Sequence, residues 1–103
     1  MMIEVITFEL PENMTQEEVL NNYKDTTPKW RSVSELIRKS YLYDEEARLG
    51  GGIYHWKTVE AADLWHGKEW RKSVEAIYGN KPVVKRFQVP IVADNEQSKT
   101  IEF

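Results

Sequence analysis

The chain has 103 residues, a length at which one domain with one core is expected. Acidic residues outnumber basic ones by 17 to 14, so no uniform basic field is available to hold nucleic acid or an anionic membrane. Cysteine is absent, which excludes a disulfide framework, a thiolate metal site and a thiol nucleophile. No apolar run approaches the ~18 residues of a membrane span, and a cytoplasmic location is expected. Four Trp, five Tyr and three Phe are a large aromatic volume for so short a chain, and these rings must line something.

In chain order, residues 3–10 are rich in β-branched side chains and end at Pro11, which predicts a strand. Thr15 and Glu18 have the spacing of a capping box, and Met14 and Val19 that of a hydrophobic staple, so a helix starts there. Pro28 has no amide hydrogen and is expected to interrupt this helix or restart it from Thr27. Residues 35–43 predict a second strand, 44–51 a polar, glycine-ended connection, and 52–56 a third strand. Thr58 caps a second helix, which Gly67 weakens and which continues through Trp70, Val74, Ile77 and Tyr78. Gly79-Asn80-Lys81-Pro82 stops it. Residues 83–92 predict a fourth strand with Pro90 near its end, so that residues 1–93 form the domain. Residues 94–103 form a polar C-terminal tail able to dock on a neighbour.

The order β-α-β-β-α-β is the split βαβ of ferredoxin-like α+β folds, built on an antiparallel sheet. In the first strand both parities are apolar, with Ile3 and Val5 on one face and Ile6, Phe8 and Leu10 on the other. Two helices cover only one face of a four-stranded sheet. A second sheet is therefore expected on the other face, and its simplest source is an identical subunit in a homodimer.

Three segments look familiar once this order is in hand. They are Gly51-Gly52-Ile53-Tyr54 leading to Trp56 and the helix start at 57–62, then Trp65-His66-Gly67-Lys68-Glu69-Trp70, and the late strand 84–89. Together they resemble the dimeric α/β-barrel superfamily of antibiotic-biosynthesis-type monooxygenases, and within it the YdhR-like monooxygenases. The resemblance spans roughly residues 3–92 and implies a dimer whose two sheets face each other with helices outside. It also implies oxidation of an electron-rich aromatic, a phenol or quinol, by dioxygen without metal, flavin or other cofactor. Such chemistry needs an apolar pocket with a few polar groups that hold the substrate as its anion. Haem-degrading relatives use a first-strand asparagine and a second-helix histidine, and here Thr7 and the run Val74, Glu75 and Ala76 stand in those regions.

A phenol ionises near ~10 in water, so the site must lower that value with donors or cations while excluding water. His55 and His66 are the catalytic candidates, as the side chains that ordinarily titrate near neutrality. His66 sits at the helix break between two tryptophans; its plainer role is a helix-end histidine facing water. For His55, mid-strand beside Trp56, the plainer role is a structural residue of the interface. Lys39, Tyr41 and Tyr43 share a parity and are candidates to bind an anionic aromatic, or else an interface ladder. Trp56, Trp65 and Trp70 are candidates to wall the pocket, or else plain core packing, and Trp30 to close its entrance or anchor a helix end. Gly50-Gly51-Gly52 is no phosphate cradle, because it enters a strand. The two histidines lie eleven positions apart with no cysteine, which disfavours a metal site. The rival reading of the whole chain is a non-catalytic module that binds a small hydrophobic ligand or serves assembly.

Overall fold

The computed structural model describes residues 1–103. A four-stranded antiparallel sheet carries the fold, formed by β1 (Met2–Glu9), β2 (Leu36–Asp44), β3 (Leu49–Trp56) and β4 (Val83–Gln88) in the order β2-β3-β1-β4. The helices α1 (Gln16–Arg31), α2 (Val59–Trp65) and α3 (Lys68–Tyr78) cover one face. This is the ferredoxin-like α+β fold. No helix is long and apolar enough to cross a membrane.

Period two along β1 decides the layering. Met2, Glu4, Ile6 and Phe8 are buried and alternate with half-buried Ile3, Val5 and Thr7. The buried set meets Val19, Tyr23 and Trp30 of α1, Tyr54 and Trp56 of β3, Ala61 and Ala62 of α2, and Val74 and Tyr78 of α3 in a single core. The other face of the sheet has no helix over it and carries Ile3, Val5, Ile53 and the largely exposed Phe87.

The expected interruption at Pro28 does not occur, and α1 runs through it. Pro28 stands on the solvent side, and the carbonyl of Lys24, which its missing amide would have served, accepts the Thr27 hydroxyl at 2.9 Å. The capping box at the start of α1 forms in both directions between Thr15 and Glu18. The second helix is two helices rather than one weakened one. His66 leaves helical geometry at φ −107°, ψ 36°, and Gly67 caps the new start at φ −77°, ψ −165°. β3 begins at Leu49, earlier than expected, because Asp44 accepts the Ala47 amide in a tight turn and Arg48 takes a positive φ of 55°.

The fourth strand is shorter than the predicted 83–92. It ends at Gln88, and after Pro90 the chain forms a separate hairpin of β5 (Ile91–Asp94) and β6 (Lys99–Glu102). The expected tail from 94 onward is thus the second half of that hairpin, tied back by the Phe103 amide to the carbonyl of Pro90 at 3.0 Å. The radius of gyration is 14.6 Å, against about 13 Å for a rounded domain of this length, so the molecule is elongated, with the hairpin beside the helix-free face and Glu96 4.0 Å from Arg38 of β2.

Candidate functional site

Between the sheet and α1 and α3 lies a cavity of about 100 Å³ walled by the rings of Tyr23, Trp30, Tyr41, Tyr54, Trp70 and Tyr78. A more open cleft of about 300 Å³ adjoins it and shares the wall of Trp30, Lys39 and Tyr41. The inner space is smaller than the ~150 Å³ that holds a benzene ring in a known apolar cavity, so a ring is accommodated only by reaching into the adjoining cleft or by movement of the walls.

Strand register builds this wall. Lys39 pairs with Tyr54, Tyr41 with Gly52, and Tyr43 with Gly50, so the three candidates on β2 share the helix-covered face with Tyr54. A Cβ at Gly52 would come within 3.1 Å of the Tyr54 ring and 3.2 Å of Lys39 Cε. At Gly51 it would lie 1.9 Å from the Ile6 carbonyl oxygen. The glycine run therefore gives β3 a bare surface on which large side chains of neighbouring elements rest.

Two tyrosines are tied down. Tyr23 donates its hydroxyl to the Leu42 carbonyl at 2.6 Å and accepts the Gly51 amide at 3.0 Å, linking α1 to both β2 and β3. Thr26 donates to the Tyr23 carbonyl, so its oxygen accepts the Tyr41 hydroxyl at 2.6 Å. Burial pushes all three phenols of Tyr23, Tyr41 and Tyr54 above the ordinary tyrosine value, Tyr54 furthest. They stay neutral near pH 7.

Lys39 differs. Its Nζ lies 4.8, 3.9 and 4.6 Å from the ring centres of Trp30, Tyr41 and Tyr54, and it takes part in none of the molecule's ion pairs. Burial, with the nearby Lys29 charge, lowers its pKa to about 7. It is the titratable group of the cavity wall that changes charge near neutrality.

Behind the wall lies a polar cluster that the sequence reading did not single out. Glu4, wholly buried on β1, accepts Trp56 Nε1 at 2.7 Å, meets His66 Nδ1 at 2.5 Å and accepts Arg86 Nε at 2.8 Å. Arg86 also donates to Asp63 at the surface. Burial pushes the Glu4 carboxyl up, but the bonds from His66, Arg86 and Trp56 outweigh it and hold the group below the usual carboxylate range. Burial lowers His66, more than Glu4 raises it, which leaves a neutral imidazole donating Nδ1–H to Glu4. Its Nε2 has no partner and is enclosed by Trp30, Tyr54, Trp56 and Trp70, whose rings stand 4.1 to 5.4 Å from the imidazole. The signal for Glu4 was available: a lone acid on the parity of Ile6, Phe8 and Leu10.

The remaining candidates separate. Lys39, Tyr41 and Trp70 line the cavity, while Trp56 lies beneath it and Trp65 stands outside, half-buried, edge-on to Trp30 at 6.2 Å. Tyr43 packs on the core beyond the cavity, with its buried hydroxyl unpartnered. His66 is buried behind the wall rather than facing water at the helix end. His55 lies on the opposite face of the sheet, against the C-terminal hairpin, and does not join the others. His, Asp and Glu side chains nowhere form a group of three that could hold a metal.

No protein-family profile matches the chain, and no curated protein matches it in sequence. Solved structures do. One, described as a "putative antibiotic biosynthesis monooxygenase" from Bordetella bronchiseptica, is 21% identical with a TM-score of 0.61, covering 85% of this chain and 96% of that one. Another, the protein YJCS, is 14% identical with a TM-score of 0.61, covering 84% of this chain and 98% of that one. At such identities the likeness is one of fold, and the chain shares with both neighbours the ferredoxin-like α+β architecture over nearly their whole length.

Proposed function

We propose that this chain is a cofactor-independent monooxygenase that oxidises a small phenol or quinol with dioxygen in the aromatic cavity between sheet and helices. The observation that carries the reading is Lys39: an amine without a carboxylate partner, set in a ring-walled space of about 100 Å³ that opens onto a cleft of about 300 Å³. The name of the Bordetella neighbour and the resemblance of residues 51–56 to YdhR-like proteins support it.

The chemistry follows from charge. A phenol near ~10 and the buried amine at about 7 leave proton transfer uphill by about three units, or ~4 kcal/mol, and what offsets this is the contact attraction between ammonium and phenolate, which strengthens as water is excluded. Neutral Lys39 takes the phenolic proton, and as ammonium it then holds the phenolate. The phenolate is the electron donor to dioxygen. One oxygen atom enters the ring and becomes a carbonyl. The other leaves as water with the two hydrogens the substrate loses, so phenol plus dioxygen gives quinone plus water and no outside reductant is needed. Glu4 and His66 position the wall from behind. The face bearing Ile3, Val5, Ile53 and Phe87 packs on a second copy in a homodimer, and the protein works in the cytoplasm.

Oxygen uptake by metal-free, flavin-free protein with a panel of phenols and quinols tests the reading, with ¹⁸O from labelled dioxygen expected in the quinone. Ligand binding without oxygen uptake across the panel would favour the non-catalytic binding module instead.

A further inference from the structure

Oxidation of a phenol uses Lys39 only as a proton acceptor and counter-ion, but its surroundings also suit covalent chemistry. The amine faces the inner cavity and the outer cleft together. No carboxylate lines either space, and Glu4, on the strand behind, is already bonded to His66, Arg86 and Trp56. Desolvation and a neighbouring cation are the two conditions that turn a lysine into an amine nucleophile, and burial and Lys29 supply them here. The three ring faces around Nζ add a third element. An iminium is a cation, and ring faces stabilise a cation in a desolvated site.

We propose that Lys39 is a Schiff-base site that captures a small aldehyde or ketone, aromatic or short-chain, in the ring-walled cavity. The Nζ lone pair attacks the carbonyl carbon and forms the C–N bond. The carbonyl oxygen takes up two protons and leaves as water, and the product is a protonated imine beneath Trp30, Tyr41 and Tyr54. The step is neither an oxidation nor a reduction and needs no co-reactant. It stands apart from the oxygen chemistry, because an imine forms whether or not dioxygen is reduced.

The charged and titratable groups around Lys39 are Tyr23, Lys29 and Arg31 on α1, Arg38 and Tyr41 on its own strand, Tyr54 on β3, Tyr78 on α3, Glu4 on β1 and His66 in the turn between α2 and α3. Near neutral pH these groups act in fixed forms: the tyrosines are neutral, Glu4 is ionised, and His66, lowered by burial, is neutral. The capture rate therefore rises with pH to about 7 and levels off. Surface lysines, with amines near ~10.4, keep gaining reactivity above that.

The experiment is reductive trapping. Full-length protein is incubated with benzaldehyde and cyanoborohydride at pH 6.5 to 8.5, and the label is located by peptide mass spectrometry. Lys39 is expected to label at least about tenfold faster than any other lysine at pH 6.5, with the advantage shrinking by pH 8.5. Lys39→Arg should abolish the fast event. Lys29→Met should slow it severalfold at pH 6.5 by removing the charge that keeps the amine unprotonated. Label spread evenly over the lysines, or a fast event that survives Lys39→Arg, would overturn the proposal. Fast labelling without oxygen uptake on phenols keeps the Schiff-base site and removes the oxidase reading. Oxygen uptake without selective labelling does the reverse.

Discussion

Nδ1 of His66 lies 2.5 Å from Oε1 of Glu4, with both side chains entirely removed from solvent. Glu4 comes from the first strand and His66 from the break between α2 and α3, so one contact ties the sheet to the turn that positions Trp65 and Trp70. A buried carboxylate survives only with its lone pairs occupied, and here Trp56, His66 and Arg86 occupy them.

Replacing Glu4 by Gln should therefore cost about 3 kcal/mol, because Arg86 and His66 then face an uncharged amide in a closed space. Urea denaturation of the two proteins measures it. A loss under about 1 kcal/mol would mean that the cluster is far less desolvated than its burial implies.

Acid should weaken the fold in two stages. His66 has a folded pKa below 6.5, so between the two values the unfolded chain binds the extra proton, and stability present above pH 6.5 is lost as pH falls. Glu4 has a folded pKa below 4.5, so its contribution is present above that value and is lost as pH falls through the folded pKa. Thermal midpoints from pH 6.5 to pH 3 should show both declines, and His66→Gln should shrink the upper one to the part that His55, also lowered by burial, contributes.

Lys39→Met should stabilise the protein while lowering turnover on a phenol by at least about a hundredfold, since the substitution removes an amine that burial makes costly to protonate but that the reaction uses. The sign follows from its lowered pKa. Between about 7 and 10.5 the unfolded chain holds the proton and the folded one does not, so the penalty of burying Lys39 shrinks as pH rises across that window. The gap between Lys39→Met and the unsubstituted protein should close accordingly. In the unsubstituted protein kcat/KM should rise through pH 7.

Tyr23→Phe removes a hydroxyl that bonds both Leu42 and Gly51 and leaves the ring in place. A loss of about 1–2 kcal/mol is expected by chemical denaturation, from two backbone groups left short of a partner. Gly51→Ala is expected to prevent folding, because its Cβ would overlap the backbone of β1. Gly52→Ala should cost about 1–3 kcal/mol, because it crowds the buried Tyr54 ring and the Ser40 carbonyl as well as the flexible Lys39 chain.

The uncovered sheet face leads to a test of assembly. Light scattering at micromolar concentration should give twice the chain mass, and Phe87→Asp, which places a charge among apolar neighbours at an exposed position, should return it to the monomer. A monomer in the unsubstituted protein would refute the expected homodimer.

Strand and helix order, the capping box, the stop at Gly79 and the shared face of Lys39, Tyr41 and Tyr43 are all legible in the chain, because each depends on local periodicity or on a turn residue acting within a few positions. Pro28 was misread for the same reason. Local rules see the missing amide, and only the folded helix shows the Thr27 hydroxyl serving the orphaned carbonyl. The hairpin of β5 and β6 is not legible locally, because Ile91 and Val92 continue the apolar run of the fourth strand and only β6, a polar segment, shows them paired elsewhere.

What the sequence alone determined is the main order of strands and helices and the residue types that any pocket here must use, while apolar side chains on both parities of β1 left the layering of the sheet to the fold. The tertiary structure decided which of them meet. Glu4, His66, Trp56 and Arg86 are separated by up to 82 positions and come together only through the β2-β3-β1-β4 order. The same order put His55 on the far side of the sheet from the cavity. Lys39 owes its unusual amine to burial among side chains of other elements, Trp30 from α1 and Tyr54 from β3, and to the charge of Lys29 on α1. Charge and burial are properties of surroundings, and surroundings exist only once distant segments have packed.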